Sequence, residues 1–116
     1  MVYRRDELKV ESREHVRDGK GALSFVHYVE GKGAVQSNTS MFAEITLPPG
    51  TSIGYHPHHG ETEFYIIIEG GGVVNDDGKE VPVGPGDVMV TGNGASHSIA
   101  NNGEIPLKLT AAIIKG

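Results

Sequence analysis

The chain has 116 residues, enough for one domain but not comfortably for two. Ten basic and fifteen acidic residues give a net charge of −5, a poor balance for binding nucleic acid, and the absence of cysteine excludes disulfides, thiolate catalysis and cysteine-ligated zinc. No run approaches the roughly 18 apolar residues of a membrane-spanning helix, so we expect no membrane contact. Residues 1–11 also lack the apolar core of a signal peptide, and we expect a cytoplasmic protein.

The segment over residues 1–20 is polar, and its apolar residues Leu8, Val10 and Val16 do not repeat at a helical interval. We therefore predict an extended N-terminal arm. From residue 21 onward the chain consists of short runs rich in β-branched and aromatic residues, which are typical of β-strands. Strands are predicted, in chain order, over residues 23–29, 40–47, 52–58, 62–68, 73–74, 79–83, 88–91, 96–100 and 107–114.

Turn residues separate the predicted strands. Pro48-Pro49-Gly50 ends the second run, and Asp77-Gly78 is a strong signal for a hairpin. The chain contains 17 glycines and 6 prolines, which suits many short strands joined by tight turns. We therefore predict an all-β sandwich or barrel, with a single domain over residues 21–116 that follows the arm over residues 1–20.

The run over residues 62–68 is the most apolar of the chain, and its two faces can be considered separately. Glu63, Tyr65 and Ile67 share one face, because alternate residues of a strand point to the same side. The opposite face carries Phe64, Ile66 and Ile68. Since both faces are apolar, a second layer must cover the outer one, and the candidates are the arm, another sheet or a partner subunit. We expect a homodimer.

Histidine and glutamate residues cluster between residues 56 and 63. His56 and His58 point to the same face of a strand with Cα atoms about 6–7 Å apart, which suits neighbouring positions around one metal ion. A tight turn at residues 59–60 would bring Glu63 alongside as a third ligand. His59 has the opposite parity and is expected to face solvent, and the rival carboxylate Glu61 is expected at the rim. A surface histidine pair without a metal is the alternative.

The wider spacing of this cluster is similar to that of a known family. From Gly50 the chain runs five residues to His56, one to His58, four to Glu63 and six to Gly70. This arrangement resembles the first motif of the cupin superfamily, G-x5-H-x-H-x3–4-E-x6-G, at every fixed position.

A second segment resembles the second cupin motif, G-x5-P-x-G-x2-H-x3-N. From Gly86 the chain runs five residues to Gly92, one to Gly94, two to His97 and three to Asn101. Gly92 stands where proline is usual, a departure that affects the rigidity of the loop and none of the ligands. We expect Asn101 to end its strand by bonding backbone groups in a turn.

The resemblance implies a cupin double-stranded β-helix, a jelly-roll barrel, with one divalent transition metal held by His56, His58, Glu63 and His97. Imidazoles and a carboxylate suit Mn, Fe, Co, Ni, Cu or Zn, with Mn or Fe favoured here, and they suit Ca and Mg poorly. The alternative is a metal-free barrel whose polar rim residues bond one another. A mostly apolar pocket for a small anionic ligand is expected beside the metal. Its walls are predicted to be Tyr65, Ile67 and Ile99.

Small single-domain cupins of this kind resemble, loosely, the oxalate-binding and oxalate-decarboxylase-like branch. We expect a small carboxylate or 2-oxo acid to bind, with dioxygenase-, decarboxylase- or isomerase-like chemistry open. A non-catalytic binding or sensing module is the alternative, because no acid–base residue beyond the ligands is recognisable. The loop over residues 92–96 has no carboxylate, which disfavours decarboxylation. A sugar-phosphate cupin would need a basic cluster, and only Lys79 and Lys108 lie near the motifs.

Overall fold

The computed structural model describes residues 2–29 and 38–116, and this part of the chain forms an all-β fold, as the sequence predicts. Two short 3₁₀ turns, Arg5–Glu7 and Val16–Asp18, flank the first strand. The strands in chain order are β1 (Lys9–Glu14), β2 (Ala22–His27), β3 (Thr39–Leu47), β4 (Ser52–Pro57), β5 (Glu61–Glu69), β6 (Gly72–Asp76), β7 (Lys79–Val83), β8 (Val88–Thr91), β9 (Ser96–Ala100) and β10 (Leu107–Lys115). None of the helices in the described ranges is long and apolar enough to cross a membrane.

Two antiparallel sheets make up the jelly-roll barrel. The larger sheet has the strand order β1-β2-β3-β10-β5-β8, and the smaller has the order β4-β9-β6-β7. In the larger sheet β10 is central: its Ala111 lies opposite Ala43 of β3 on one side and Tyr65 of β5 on the other. Because β10 pairs with both neighbours, it joins the N-terminal strands to the strands that carry the site.

The hydrophobic core lies between the two sheets. Alternate residues of β5 and β10 face it, so Tyr65 and Ile67 are buried together with Leu107, Leu109 and Ala111. Burying one large aliphatic side chain stabilises a fold by about 1.5–3 kcal/mol. The core also includes Leu23, Phe25, Ala43, Ile45, Leu47, Ile53, Val74, Met89 and Ile99.

The N-terminal arm contributes an edge strand. β1 pairs with β2 from Lys9 opposite His27 to Glu14 opposite Ala22. Nε2 of the buried His27 lies 2.5 Å from Oε1 of Glu11, and this side-chain contact links β1 to β2. The extended conformation agrees with the sequence-based expectation, whereas no pattern in the sequence indicates the two 3₁₀ turns. The division into an arm over residues 1–20 and a barrel over residues 21–116 stays a prediction.

The outer face of the larger sheet is apolar and partly exposed. Ile66 and Ile68 are 40% and 51% exposed, and Val88, opposite Ile66 on β8, is 59% exposed. Phe42 and Val90 extend the same face. This outer apolar surface (Phe42, Phe64, Ile66, Ile68, Val88 and Val90) is the one on which the sequence predicts a second layer.

Candidate metal centre

The structure brings together the four predicted metal ligands. His56 on β4 lies directly opposite His97 on β9, so strand pairing fixes these two imidazoles side by side. His58 follows the end of β4, and Glu63 enters from β5. All four side chains are buried, and one nitrogen or oxygen atom from each lies within 4.8 Å of the others. Two segments about forty residues apart in sequence therefore form one cluster.

The distal ring nitrogen of each histidine has a partner of its own. Nδ1 of His56 donates to the carbonyl oxygen of Gly54 at 2.6 Å, and Nδ1 of His58 donates to Oε2 of Glu61 at 2.8 Å. A carbonyl and a carboxylate can only accept, so a neutral imidazole must carry its proton on Nδ1 in both cases. Thr91 Oγ1 lies 2.9 Å from Nδ1 of His97 and can accept in the same way.

These partners leave the Nε2 lone pairs directed at one point. The three Nε2 atoms are 3.1, 3.0 and 3.2 Å apart, distances at which lone pairs repel one another unless a cation or proton lies between them. Glu63 Oε1 lies 2.9 Å from Nε2 of His58 and 2.8 Å from Nε2 of His97. It is nevertheless a buried oxygen for which residues 2–29 and 38–116 supply no hydrogen-bond donor.

This donor set fits a divalent transition metal. Three neutral imidazole nitrogens and one carboxylate oxygen are the ligands that borderline metals prefer, and the partners on Nδ1 orient the rings as in established metal sites. Hydrogen bonds among the four side chains do not explain the cluster. The rings of His56 and His58 carry their proton on Nδ1, which bonds Gly54 or Glu61 and not another member of the cluster. The buried Oε1 of Glu63, which has no hydrogen-bond donor among the described residues, belongs to a carboxylate whose negative charge a cation would neutralise.

Burial shifts the acid–base behaviour of two residues at the site. Burial lowers the pKa of His56, with smaller contributions from the neighbouring imidazoles, which favours the neutral ligand form. Burial, reinforced by the Glu63 carboxylate, raises the pKa of Tyr65 well above its usual value, so this phenol keeps its proton. The Tyr65 ring stacks on His97 with centroids 4.8 Å apart and holds that imidazole in place.

A cavity of about 100 Å³ opens beside the cluster, and its walls differ in part from the sequence-based expectation. Of the three residues predicted to form its walls, Tyr65 is among the side chains that line this cavity, and Ile67 and Ile99 are not. The side chains that line the cavity besides the ligands and Tyr65 are Arg13, Val16, Arg17, Phe25, Met41, Ile45, Ile53 and Ile113. The chain thus supplies a small, mainly apolar chamber with two arginines in its wall.

Sequence reasoning missed the contribution of the N-terminal arm. The sequence does not indicate Arg13 or Arg17 as site residues, because neither lies near a motif and only tertiary contacts bring them to the cavity. It placed Glu61 at the rim, and the carboxylate is indeed partly exposed, but it also orients His58. The spacing of Glu61 three residues after His58 was the available signal for that role.

Replacing Glu61 with glutamine tests how its carboxylate orients His58. We expect Glu61→Gln to weaken metal binding about 10- to 100-fold, because the amide no longer fixes the proton on Nδ1 as firmly. Glu69→Gln, an exposed change at the end of the same strand, serves as the control. Competition with a chromogenic chelator measures the metal affinity. Equal affinities of both variants and the unaltered protein would contradict this role of Glu61.

The fold and the cluster together define a class of protein: a small single-domain jelly-roll barrel with a buried group of three histidines and one glutamate. The family model described as the Cupin domain matches residues 43–113, more than half of the chain. The chain therefore belongs to the cupin family, and the resemblance seen in the two sequence motifs is confirmed.

Similar proteins include members of the branch to which the sequence points. The oxalate-binding protein of Thermotoga maritima is 44% identical over 114 residues, which cover 98% of this chain and 93% of that protein. The crystal structure of a predicted oxalate decarboxylase from Thermotoga maritima has a TM-score of 0.93 at 43% identity and covers 100% of both chains. An uncharacterized protein of Methanocaldococcus jannaschii is 32% identical over 93 residues, which cover 80% of this chain and 71% of that one.

Proposed function

We propose that this cupin binds a small carboxylate, oxalate or a 2-oxo acid, through a divalent transition metal held by His56, His58, Glu63 and His97. The observation that carries the proposal is the convergence of three imidazole lone pairs and an unpartnered carboxylate oxygen on one buried point. The similarity to an oxalate-binding protein over almost the whole chain supports this ligand class.

The charge and size of the cavity favour a small anion. A divalent metal with one ligand carboxylate retains about one positive charge, which attracts an anion strongly where apolar walls exclude water. The cavity of about 100 Å³ suits a small ligand such as oxalate or a 2-oxo acid. The protonated Tyr65 hydroxyl provides a hydrogen-bond donor beside the cluster.

The native metal is proposed to be Mn or Fe, among the ions that this ligand set accommodates. When bound, the metal supplies Lewis acidity and coordination positions for carboxylate oxygens. The protein's own contribution is to fix the orientation of the three imidazoles through Gly54, Glu61 and Thr91, and to bury the cluster away from bulk water.

Binding without turnover is favoured over catalysis. In the described part of the cavity wall, Tyr65 is the one proton-bearing group besides the ligands and the arginines, and its raised pKa makes it a poor acid. A decarboxylase-, dioxygenase- or isomerase-like activity on the same ligand is the second candidate, supported by the likeness to a predicted oxalate decarboxylase.

Calorimetry with oxalate and a 2-oxo acid, on the metal-loaded and the metal-stripped protein, tests the proposal. We expect binding to the loaded form alone, because the metal carries the charge that the anion recognises. Incubation of the same sample with oxalate and assay for formate, carbon dioxide and peroxide separates binding from turnover. Equal binding by both forms, or none at millimolar ligand, would contradict the proposed function.

The proposal also includes a homodimer, formed through the outer apolar surface. Exposed Ile66, Ile68 and Val88 form part of a contiguous apolar patch that a second subunit would remove from water. Light scattering at micromolar concentration is expected to give twice the monomer mass. Ile66→Lys with Val88→Lys is expected to give monomers with unchanged metal content. A monomeric unaltered protein would contradict this part.

A cytoplasmic location completes the proposal and is consistent with a chain that contains no cysteine.

A further inference from the structure

The Val16–Asp18 turn of the N-terminal arm brings Arg17 to the wall of the metal-site cavity. We propose that Arg17 is a second anchor for the bound anion, its guanidinium pairing with the carboxylate oxygens that lie farthest from the metal. This inference rests on the proposed function and adds the residue that selects for a ligand with oxygen atoms on two adjacent carbons.

Close backbone packing fixes the turn against β4. A Cβ atom on Gly54 would lie 1.8 Å from the carbonyl oxygen of Arg17, and one on Gly19 would lie 2.1 Å from that of Ser52. The amide of Ser52 donates to the carbonyl of Lys20 at 3.0 Å. Only glycine permits this approach, so the backbone that carries Arg17 is held directly on the strand that carries His56.

The turn also holds its residues in an unfavourable backbone conformation. His15, Arg17 and Asp18 have φ angles of 51°, 52° and 64°, in the left-handed region that non-glycine residues rarely adopt. In the described ranges only Asp77 and Asn93 share this property among residues other than glycine. Such strain persists only where the surrounding structure enforces it, and it concentrates at binding sites.

The two arginines of the cavity wall differ in the contacts that their guanidinium groups make within the protein. Arg13 donates to Oε1 of Glu11 at 2.7 Å, and its guanidinium lies over the Phe25 ring at 4.6 Å from the centroid. Within residues 2–29 and 38–116, by contrast, no acceptor bonds the Arg17 guanidinium.

The chemistry of a guanidinium determines which ligands benefit. Its planar set of N–H donors matches a carboxylate in a bidentate pair, and it stays charged at any physiological pH. Oxalate has a carboxylate at each end, and a 2-oxo acid has a carbonyl oxygen beside its carboxylate. Either ligand therefore has oxygen atoms left to meet Arg17 when others approach the metal. Acetate has a single carboxylate and gains nothing from the second anchor.

Titration calorimetry on the manganese-loaded protein tests this assignment, with oxalate and acetate as probes. We expect Arg17→Gln to weaken oxalate binding about 10- to 100-fold while metal content and acetate binding stay unchanged. Glutamine keeps the three carbon atoms from Cβ to Cδ, so the variant removes the guanidinium with its charge and its N–H donors. Arg17→Lys should recover part of the loss. Arg13→Gln, the matched control on the same arm, should weaken oxalate binding less than about threefold.

The outcomes separate this inference from the proposed function. Metal-dependent oxalate binding that is unchanged in Arg17→Gln, or a loss as large in Arg13→Gln, would overturn the role of Arg17 and leave the proposed function standing. Oxalate binding that needs Arg17 but persists after removal of the metal would support the arginine anchor and contradict the proposed metal dependence. No binding of oxalate to the unaltered, loaded protein would overturn both.

Discussion

Metal content is expected to fall to less than a tenth of the unaltered value in His58→Ala and in His97→Ala. Each change removes a buried Nε2 ligand and leaves a cavity that a methyl group cannot fill. His97 also loses its stacking contact with Tyr65, so the second ligand segment is no longer fixed beside the first. Inductively coupled plasma mass spectrometry of protein purified without added chelator measures the effect directly.

His59→Ala is the matched control for this experiment. His59 adjoins His58 in sequence but is exposed, so its removal should leave metal content unchanged. Metal should also raise the melting temperature of the unaltered protein. At a metal concentration a thousand times its Kd, the free energy of unfolding should increase by about 4 kcal/mol. Full metal retention in the double variant of His58 and His97 would refute the assignment of the ligands.

Asn101→Ala is expected to destabilise the fold by about 3 kcal/mol, because it leaves the buried carbonyl oxygen of Leu47 and two partly buried backbone groups without their partner. The Asn101 amide donates to the carbonyl oxygens of Leu47 and Ile105, each at 2.9 Å, and its Oδ1 accepts from the amide of Gly103. The side chain therefore ties the end of β3 to the connection between β9 and β10. Urea unfolding followed by circular dichroism gives the change in free energy.

The adjacent Asn102 provides the control for the Asn101 experiment. It has the same side chain one position further along but is exposed, so Asn102→Ala should change stability by no more than about 0.5 kcal/mol. Equal stability of the two variants would show that the hydrogen bonds of Asn101 contribute little. The experiment also tests the expectation that this asparagine of the second motif bonds backbone in a turn.

The strand pattern and the ligand cluster were predictable because each depends on local spacing. Alternation in the run 62–68 indicates which residues face inward, and Glu63 and Tyr65 are indeed buried on one face. The interval between His56 and His58 likewise directs both rings to one side of the chain at the end of β4. The convergence of His97 on this pair required the family motif, since spacing within one segment says nothing about a strand forty residues away.

The walls of the cavity depended on contacts that no local pattern encodes. Parity shows that Ile67 and Ile99 face inward, but it does not show how far along the barrel the cavity extends, and neither of them lines it. The path of the arm is set by glycine contacts between the Val16–Asp18 turn and β4. Neither the left-handed conformation of Arg17 nor its approach to the site could be inferred from a polar segment without periodicity.

The central position of β10 has a consequence for the order in which the protein assembles. The strands β1, β2 and β3 meet the strands β5 and β8 of the same sheet only through β10, which is synthesised after all of them. Every such contact spans a long stretch of chain, a topology that folds slowly compared with local hairpins. Until β10 inserts, β3 and β5 both present unpaired edges, and during that interval the nascent chain is most exposed to mispairing with other chains. A chaperone that shields strand edges would act at this stage.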